Sequence, residues 1–297
     1  EVLLQRLNRR QNTDDVILGD ARTGKVRTVL TERDTTWVEV IDDVVWLGGG
    51  KSFTWVSERD GWKHVYVVSR DGKSVRPVTT GPFDVISIEG IDNKGGWLYY
   101  IASPDNPAQR YLFRTRLDGK GKPERLSPRD EPGTHSYDRA PNFKYAIENY
   151  SSLGTPPVIR LVRLPGGQVI RTLADNARLK ARVAGIRRAS AEWLSVLAED
   201  GAKMPGVLLK PADFDSTKRY PLLFFLYGGP GNTEVEDKWG GYYLWHTMLT
   251  QQGYLVAVVD NRGTPAPLGR AWRKAIYGQM GVIETRDQAV AARELRL

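Results

Sequence analysis

The sequence contains no cysteine, so it forms no disulfide and no thiolate metal site, and cysteine usage leaves the redox compartment open. No run approaches the ~18 consecutive apolar residues that a membrane span requires. The first ten residues, Glu1-Val-Leu-Leu-Gln-Arg-Leu-Asn-Arg-Arg10, hold no apolar segment bounded by a cleavage site, so no signal peptide is visible there. Histidine is scarce, with three in 297 residues, and no cluster of histidine and carboxylates has metal-ligand spacing. Neither a metal nor a cofactor is expected. Gly48-Gly-Gly50 with Lys51-Ser52 lacks the first glycine of a phosphate-cradling loop at the required distance. The net charge of +8 would suit an anionic partner, but the excess Lys and Arg are scattered through turns, with no dense run and no nucleic-acid motif. No nucleic-acid partner is expected. A hydrophobic content of 40% with 10% aromatics excludes a disordered chain, and 297 residues leave room for two domains.

Four glycine turns are present at an almost constant interval: Thr23-Gly24, Asp71-Gly72, Asp118-Gly119 and Pro165-Gly166, with spacings of 48, 47 and 47 residues between the glycines. Each follows an apolar alternating run, such as Val16-Ile-Leu or Val65-Tyr-Val-Val68. Period-2 alternation buries one face of a strand, and a glycine at the tip supplies the positive φ of a tight hairpin. A hairpin recurring every ~40–50 residues marks a β-propeller blade of four strands. The second repeat reads as Ser52–Ser57, His64–Arg70, Val75–Thr79 and Val85–Gly90; the next supplies Gly96–Ser103 and Arg110–Leu117. About four blades would leave an open half-ring with exposed edges, so further blades are expected ahead of them.

After about residue 180 the rhythm changes. Ala191–Pro211 reads as one more hairpin about Asp200-Gly201. Tyr220-Pro-Leu-Leu-Phe-Phe-Leu-Tyr227 is nearly continuous and apolar, which predicts a strand buried on both faces of a parallel sheet. A helix is predicted around Tyr242–Gln252, a second apolar strand over Gly253–Asp260, and a further helix over Gln288–Leu297. Strand, helix, strand, helix implies a βαβ unit in an α/β domain. The fold class is therefore mainly β followed by α/β, with propeller blades over 1–180 and an α/β domain over 181–297.

Several segments then resemble one family. Ser57-Glu-Arg-Asp-Gly-Trp62, His64-Val-Tyr66 and Thr79-Thr-Gly-Pro-Phe-Asp-Val85 are similar to the late propeller of the dipeptidyl peptidase IV family, within the prolyl oligopeptidase clan of serine peptidases. Tyr220-Pro-Leu-Leu, Tyr227-Gly-Gly-Pro230, Val259-Asp-Asn-Arg-Gly-Thr264 and Gly281-Val-Ile-Glu-Thr-Arg-Asp-Gln288 resemble the opening of its α/β-hydrolase domain. The resemblance implies an eight-bladed propeller joined to a hydrolase domain, with the active site in the cavity between them. It also implies a peptide substrate, release of N-terminal dipeptides (Xaa-Pro or Xaa-Ala), a homodimer, and a periplasmic or secreted location.

The catalytic apparatus is largely missing from the sequence. A hydrolase of this class needs a Gly-x-Ser-x-Gly elbow followed by Asp and His, and no serine here has glycine at both −2 and +2. Leu297 falls within the helix that leads to the elbow strand in the family pattern, so this chain is expected to be inactive alone. A missing C-terminal segment, carried as a separate chain, would be its partner. The paired glutamates that grip a substrate amine in the family have no matching segment. His64, His135 and His246 precede any position for a triad histidine and read as surface or packing residues. Tyr227 is the one catalytic candidate: the family pattern gives its hydroxyl to the oxyanion of the tetrahedral intermediate. No substrate-binding residue is assigned. Asp260 and Arg262 read as architectural, able to pair with each other or with neighbouring loops. Glu284 and Asp287 read as preceding and capping a helix. Asn149-Tyr-Ser151 fits a glycosylation acceptor, unsupported by any secretory segment. A propeller used only for binding, with a hydrolase remnant as scaffold, is the alternative the sequence leaves open.

Overall fold

Alternating strands and glycine turns fold the first part of the chain into four antiparallel sheets. The computed structural model describes residues 1–188 and 191–295. The first sheet pairs β1 (Val2–Leu7), β2 (Thr13–Gly19) and β3 (Val26–Arg33) in chain order. The second joins β4 (Trp46–Leu47), β5 (Ser52–Ser57), β6 (His64–Ser69) and β7 (Val75–Pro77). The third holds β8 (Val85–Asp92), β9 (Trp97–Ala102), β10 (Tyr111–Arg116) and β11 (Glu124–Arg125). The fourth holds β12 (Thr134–Arg139), β13 (Tyr145–Ser152), β14 (Thr155–Arg163) and β15 (Gln168–Ala174). These are the blades that the repeat predicted, phased by one strand. Val85–Asp92 opens the third sheet instead of closing the second, because alternation identifies a strand but not its partner.

The recurring turn joins the last two strands of each sheet. Gly24, Gly72 and Gly119 take φ of 69°, 75° and 71°, the left-handed region that glycine enters without strain. In the fourth sheet Gly167, not Gly166, has the positive φ, 67°. These turns also touch the sheet before them. A Cβ on Gly72 would collide with the Val29 carbonyl in β3, and one on Gly119 would lie 2.9 Å from the Pro77 carbonyl in β7. One on Gly167 would lie 3.2 Å from the Leu126 carbonyl, just after β11. Arginines reinforce two of these steps: Arg27 donates to the Arg70 carbonyl (2.8 Å) and Arg76 to that of Leu117 (2.7 Å). The scattered basic residues of the hairpins thus have a structural use.

The chain divides into two compact units, residues 1–102 with 113–124 and residues 103–112 with 125–297. In the first, Val16, Leu18, Val29, Phe53, Trp55 and Val68 form one core cluster; Val56, Val65, Phe83, Leu98 and Tyr100 anchor another. Fully burying such side chains stabilises by about 1.5–3 kcal/mol each.

The second unit carries the fourth sheet and an α/β layer. After α1 (Ala177–Ala184) come β16 (Glu192–Leu197), β17 (Lys203–Leu209), β18 (Leu222–Phe225), α2 (Tyr243–Gln251), β19 (Leu255–Val259), α3 (Gly269–Lys274) and α4 (Ile283–Glu294). The sheet order is β16-β17-β19-β18; β17 runs antiparallel to β16 and β19, and β18 runs parallel to β19. The unit β18-α2-β19 is the expected βαβ. Every residue of β19 is buried, whereas β18 is only half-buried. The double burial read from its apolar run is corrected: β18 lies at the edge of the described sheet, with no strand on its other side among the described residues. Two further corrections concern α4. It begins at Ile283, five residues ahead of the predicted start, so Glu284 lies in its first turn and Asp287 lies inside it. Glu284 still serves the helix end, accepting from the Gly281 backbone N–H.

Candidate site at the end of the parallel pair

Tyr227 stands two residues past β18, at the C-terminal end of the parallel pair, where α/β sheets place their ligands. It is 56% exposed. The chain turns at Gly228, whose φ is 81°. The tyrosine ring then folds over the following loop. A Cβ on Gly231 would lie 2.7 Å from the Tyr227 hydroxyl, and one on Gly229 would lie 3.4 Å from its ring. The glycine-rich sequence is what lets the ring lie there.

The end of β19 holds this loop through two consecutive residues. Asp260, buried, accepts from the backbone N–H groups of Glu234 (3.0 Å) and Val235 (3.1 Å) and from the Thr233 hydroxyl. Burial pushes its carboxyl above the ordinary 3.8, opposed by the Glu234 amide, the Thr233 hydroxyl and the Val235 amide. Asn261, also buried, donates from Nδ2 to the Gly228 carbonyl (2.8 Å) and to the Arg262 carbonyl (2.8 Å). Arg262 turns the other way, to α4. Its backbone N–H, Nε and Nη2 reach the Asp287 carboxylate at 3.1, 3.0 and 2.7 Å, and Nη1 pairs with Asp200. Asp260 and Arg262 therefore do not pair with each other; both are architectural. Asp287 is a clamp inside the helix, and its predicted capping role is corrected.

Beyond the loop, Asp237 ties it to neighbouring segments of the same unit. Its backbone N–H donates to the Ala108 carbonyl at 2.7 Å. Its carboxylate accepts from Leu153 N–H (2.9 Å) and Gln109 Nε2 (2.8 Å). A cleft of about 620 Å³ opens beside it, lined by Tyr150, Ser152, Arg188, Trp193 and Tyr243 among others. Arg188 donates to the Tyr243 hydroxyl there.

All three histidines are buried, so they are packing residues. His64 Nδ1 meets Asp60 at 2.7 Å, and His135 Nδ1 meets Glu148 at 2.9 Å. His246 packs on Phe225 and Tyr242, and burial lowers its pKa. Among the described residues no group of three or more His, Asp or Glu could hold a metal ion. The anchoring roles of Asn261, Thr233 and Asp237 are not legible in the sequence. A short polar residue after an apolar strand marks a turn, but nothing local names the carbonyl it will meet.

Comparison with known proteins agrees with this architecture. The family model described as the dipeptidyl peptidase IV N-terminal region matches residues 1–157, and the prolyl oligopeptidase family model matches residues 242–296. The chain is similar to the solved Porphyromonas gingivalis dipeptidyl peptidase 4, with 31% identity and a TM-score of 0.89, covering 98% of this chain and 40% of that one. It is 29% identical to the Aspergillus terreus protein named "Probable dipeptidyl-aminopeptidase B", over 98% of this chain and 33% of that protein. It is 26% identical to Arthroderma otae dipeptidyl peptidase 4, over 99% of this chain and 38% of that protein. The chain thus spans between a third and two fifths of the length of these relatives. With the dipeptidyl peptidase IV N-terminal model matched over more than half its length and the prolyl oligopeptidase model over 242–296, the chain belongs to the dipeptidyl peptidase IV family.

Proposed function

We propose that this chain supplies propeller blades and the opening of the catalytic domain of a serine-type exopeptidase that releases N-terminal dipeptides, Xaa-Pro or Xaa-Ala, from peptides. In that enzyme Tyr227 donates its hydroxyl to the oxyanion of the tetrahedral intermediate. The observation that supports this most is the place of Tyr227: exposed, at the C-terminal end of a parallel strand, on a loop fastened at both ends to the adjacent strand. A donor held in position before reaction stabilises developing charge without reorganising, and this is the source of its catalytic value. The relatives named as dipeptidyl peptidases support the reaction class. The chain by itself contains no Gly-x-Ser-x-Gly elbow, so it should not turn over Gly-Pro or Ala-Pro chromogenic amides.

The test is Tyr227→Phe in the enzyme that carries this chain together with a nucleophile elbow. The ring and its packing stay, and one donor goes. kcat should fall roughly 10²–10³-fold, as for other single oxyanion donors. KM should hold, because the bond forms mainly in the transition state. Near-normal kcat at an unchanged melting temperature would exclude the oxyanion role.

A further inference from the structure

The loop that follows Tyr227 has very little holding it. Among the described residues, 227–232 make no backbone–backbone hydrogen bond. The side chain of Asn232 bonds only within the loop, to Glu234. One hydrogen bond ties this stretch to the sheet: Asn261 Nδ2 to the Gly228 carbonyl, at 2.8 Å. Asn261 is fully buried, and its amide has no freedom to turn. One Nδ2 hydrogen serves Gly228 and the other the Arg262 carbonyl, also at 2.8 Å. Its Oδ1 accepts from Gln288 Nε2 in α4 at 3.0 Å, and Gln288 itself is held by the Val259 carbonyl at 2.8 Å. A flipped amide would set its oxygen against two carbonyl oxygens and its NH2 against the NH2 of Gln288.

The carbonyl so held belongs to the residue after Tyr227. Gly228 has a φ of 81°, a conformation with no side chain to fix it, so its carbonyl direction decides where the loop goes next. That next stretch contains Gly229 and Gly231, over which the Tyr227 ring and hydroxyl rest.

We propose that Asn261 is a positioning residue for Tyr227, acting through the Gly228 carbonyl, with Gln288 fixing the orientation of its amide. The proposal rests on the reading of Tyr227 as the oxyanion donor. Asn261 touches neither substrate nor reacting atoms; it sets the peptide on which the donor's aim depends. A misplacement of ~1 Å in a catalytic group can cost as much as 10²-fold in rate. Asn261→Ala should therefore lower kcat by about 10-fold or more, with KM within about twofold.

A purely structural asparagine could lower activity by loosening the fold, so the deciding readout is a double-mutant cycle on kcat. The four proteins are the wild-type enzyme containing this chain and a nucleophile elbow, Asn261→Ala, Tyr227→Phe, and the double variant, assayed with an Ala-Pro chromogenic amide. If Asn261 acts through the tyrosine hydroxyl, Asn261→Ala changes kcat less than about twofold once that hydroxyl is gone. An equal loss in both backgrounds would overturn the proposal, as would an unchanged kcat in Asn261→Ala. Failure of the underlying reading shows separately, as a Tyr227→Phe enzyme with normal kcat. Should Asn261→Ala fail to fold, Gln288→Met carries the same test. It leaves both Nδ2 bonds in place but removes the donor to Oδ1, which loosens the amide, and it should give a smaller kcat loss that again vanishes in the Tyr227→Phe background.

Discussion

Replacing Arg262 by alanine should be among the most damaging changes available in the α/β layer. The Asp287 side chain is 1% exposed, and that of Arg262 is 15% exposed. Truncation removes the two guanidinium bonds at 3.0 and 2.7 Å and leaves a buried carboxylate with only the backbone N–H at 3.1 Å. Hydrogen bonds to charged groups contribute roughly 1.5–3 kcal/mol each, and breaking a buried ion pair from one side costs about 3–5 kcal/mol. At about 2–4 °C per kcal/mol for a chain of this size, the melting temperature should fall by roughly 6–20 °C. Asp200, the second partner of Arg262, has a side chain 60% exposed, so Asp200→Ala should cost less than about 1 kcal/mol. Arg262→Lys keeps the charge but loses the planar fork, and should fall between the two. The double variant Arg262→Met with Asp287→Leu should recover most of the loss, because it removes both charges instead of stranding one. Thermal unfolding followed by circular dichroism separates these cases. The reasoning is refuted if Arg262→Ala melts no lower than Asp200→Ala, or if the double variant is no more stable than Arg262→Ala.

Two other perturbations give sharp expectations. Gly24→Ala and Gly72→Ala both place a side chain at positive φ, costing roughly 1–2 kcal/mol. Only at Gly72 would the new methyl also meet the Val29 backbone, so Gly72→Ala should be lower-melting by several degrees more; equal shifts would show that the inter-sheet contact is soft. In the fourth sheet, burial pushes Glu148 upward, but hydrogen bonds from His135 and Tyr137 with the charges of His135 and Arg160 outweigh it and hold it below its ordinary 4.5. A depressed carboxyl stabilises the fold above about pH 4.5, and the contribution is lost as pH falls through the lower folded value. Melting temperatures taken from pH 6 to 3 should therefore drop more steeply for the wild type than for Glu148→Gln; parallel curves would remove Glu148 from the acid response.

The parts of this fold legible in the sequence were those fixed by local chemistry. Gly24, Gly72 and Gly119 reveal themselves because a tight turn needs φ that other residues resist, and Asp-Gly or Thr-Gly after an alternating run says so within a few residues. The parallel pair was readable from two apolar runs separated by a helical stretch. What escaped were the features that depend on partners. Val85–Asp92 declared itself a strand without declaring its sheet. Tyr220–Tyr227 looked doubly buried because both faces of β18 do pack on apolar neighbours, but with no strand along one edge among the described residues all four of its residues stay half-buried. The short helix α1, with Val183 its only buried residue, has an apolar stripe just one turn long, Leu179 with Val183, which is little to announce it. Tyr227 was visible through the glycines after it. Asn261 was not, because its meaning lies in a carbonyl 33 residues away.

The turn glycines that seat on the preceding sheet have a consequence for how such an array can change its length. The second and third repeats each carry both a carbonyl that receives the next turn and a turn that fits against the repeat before. A tandem copy of 47 or 48 residues would therefore arrive with its own joints, and the array could gain or lose whole units without inventing new contacts. A one-residue insertion within the hairpin has no such escape, since it would lift the glycine from its seat. The near-constant period is then the footprint of a joint that permits duplication and resists slippage.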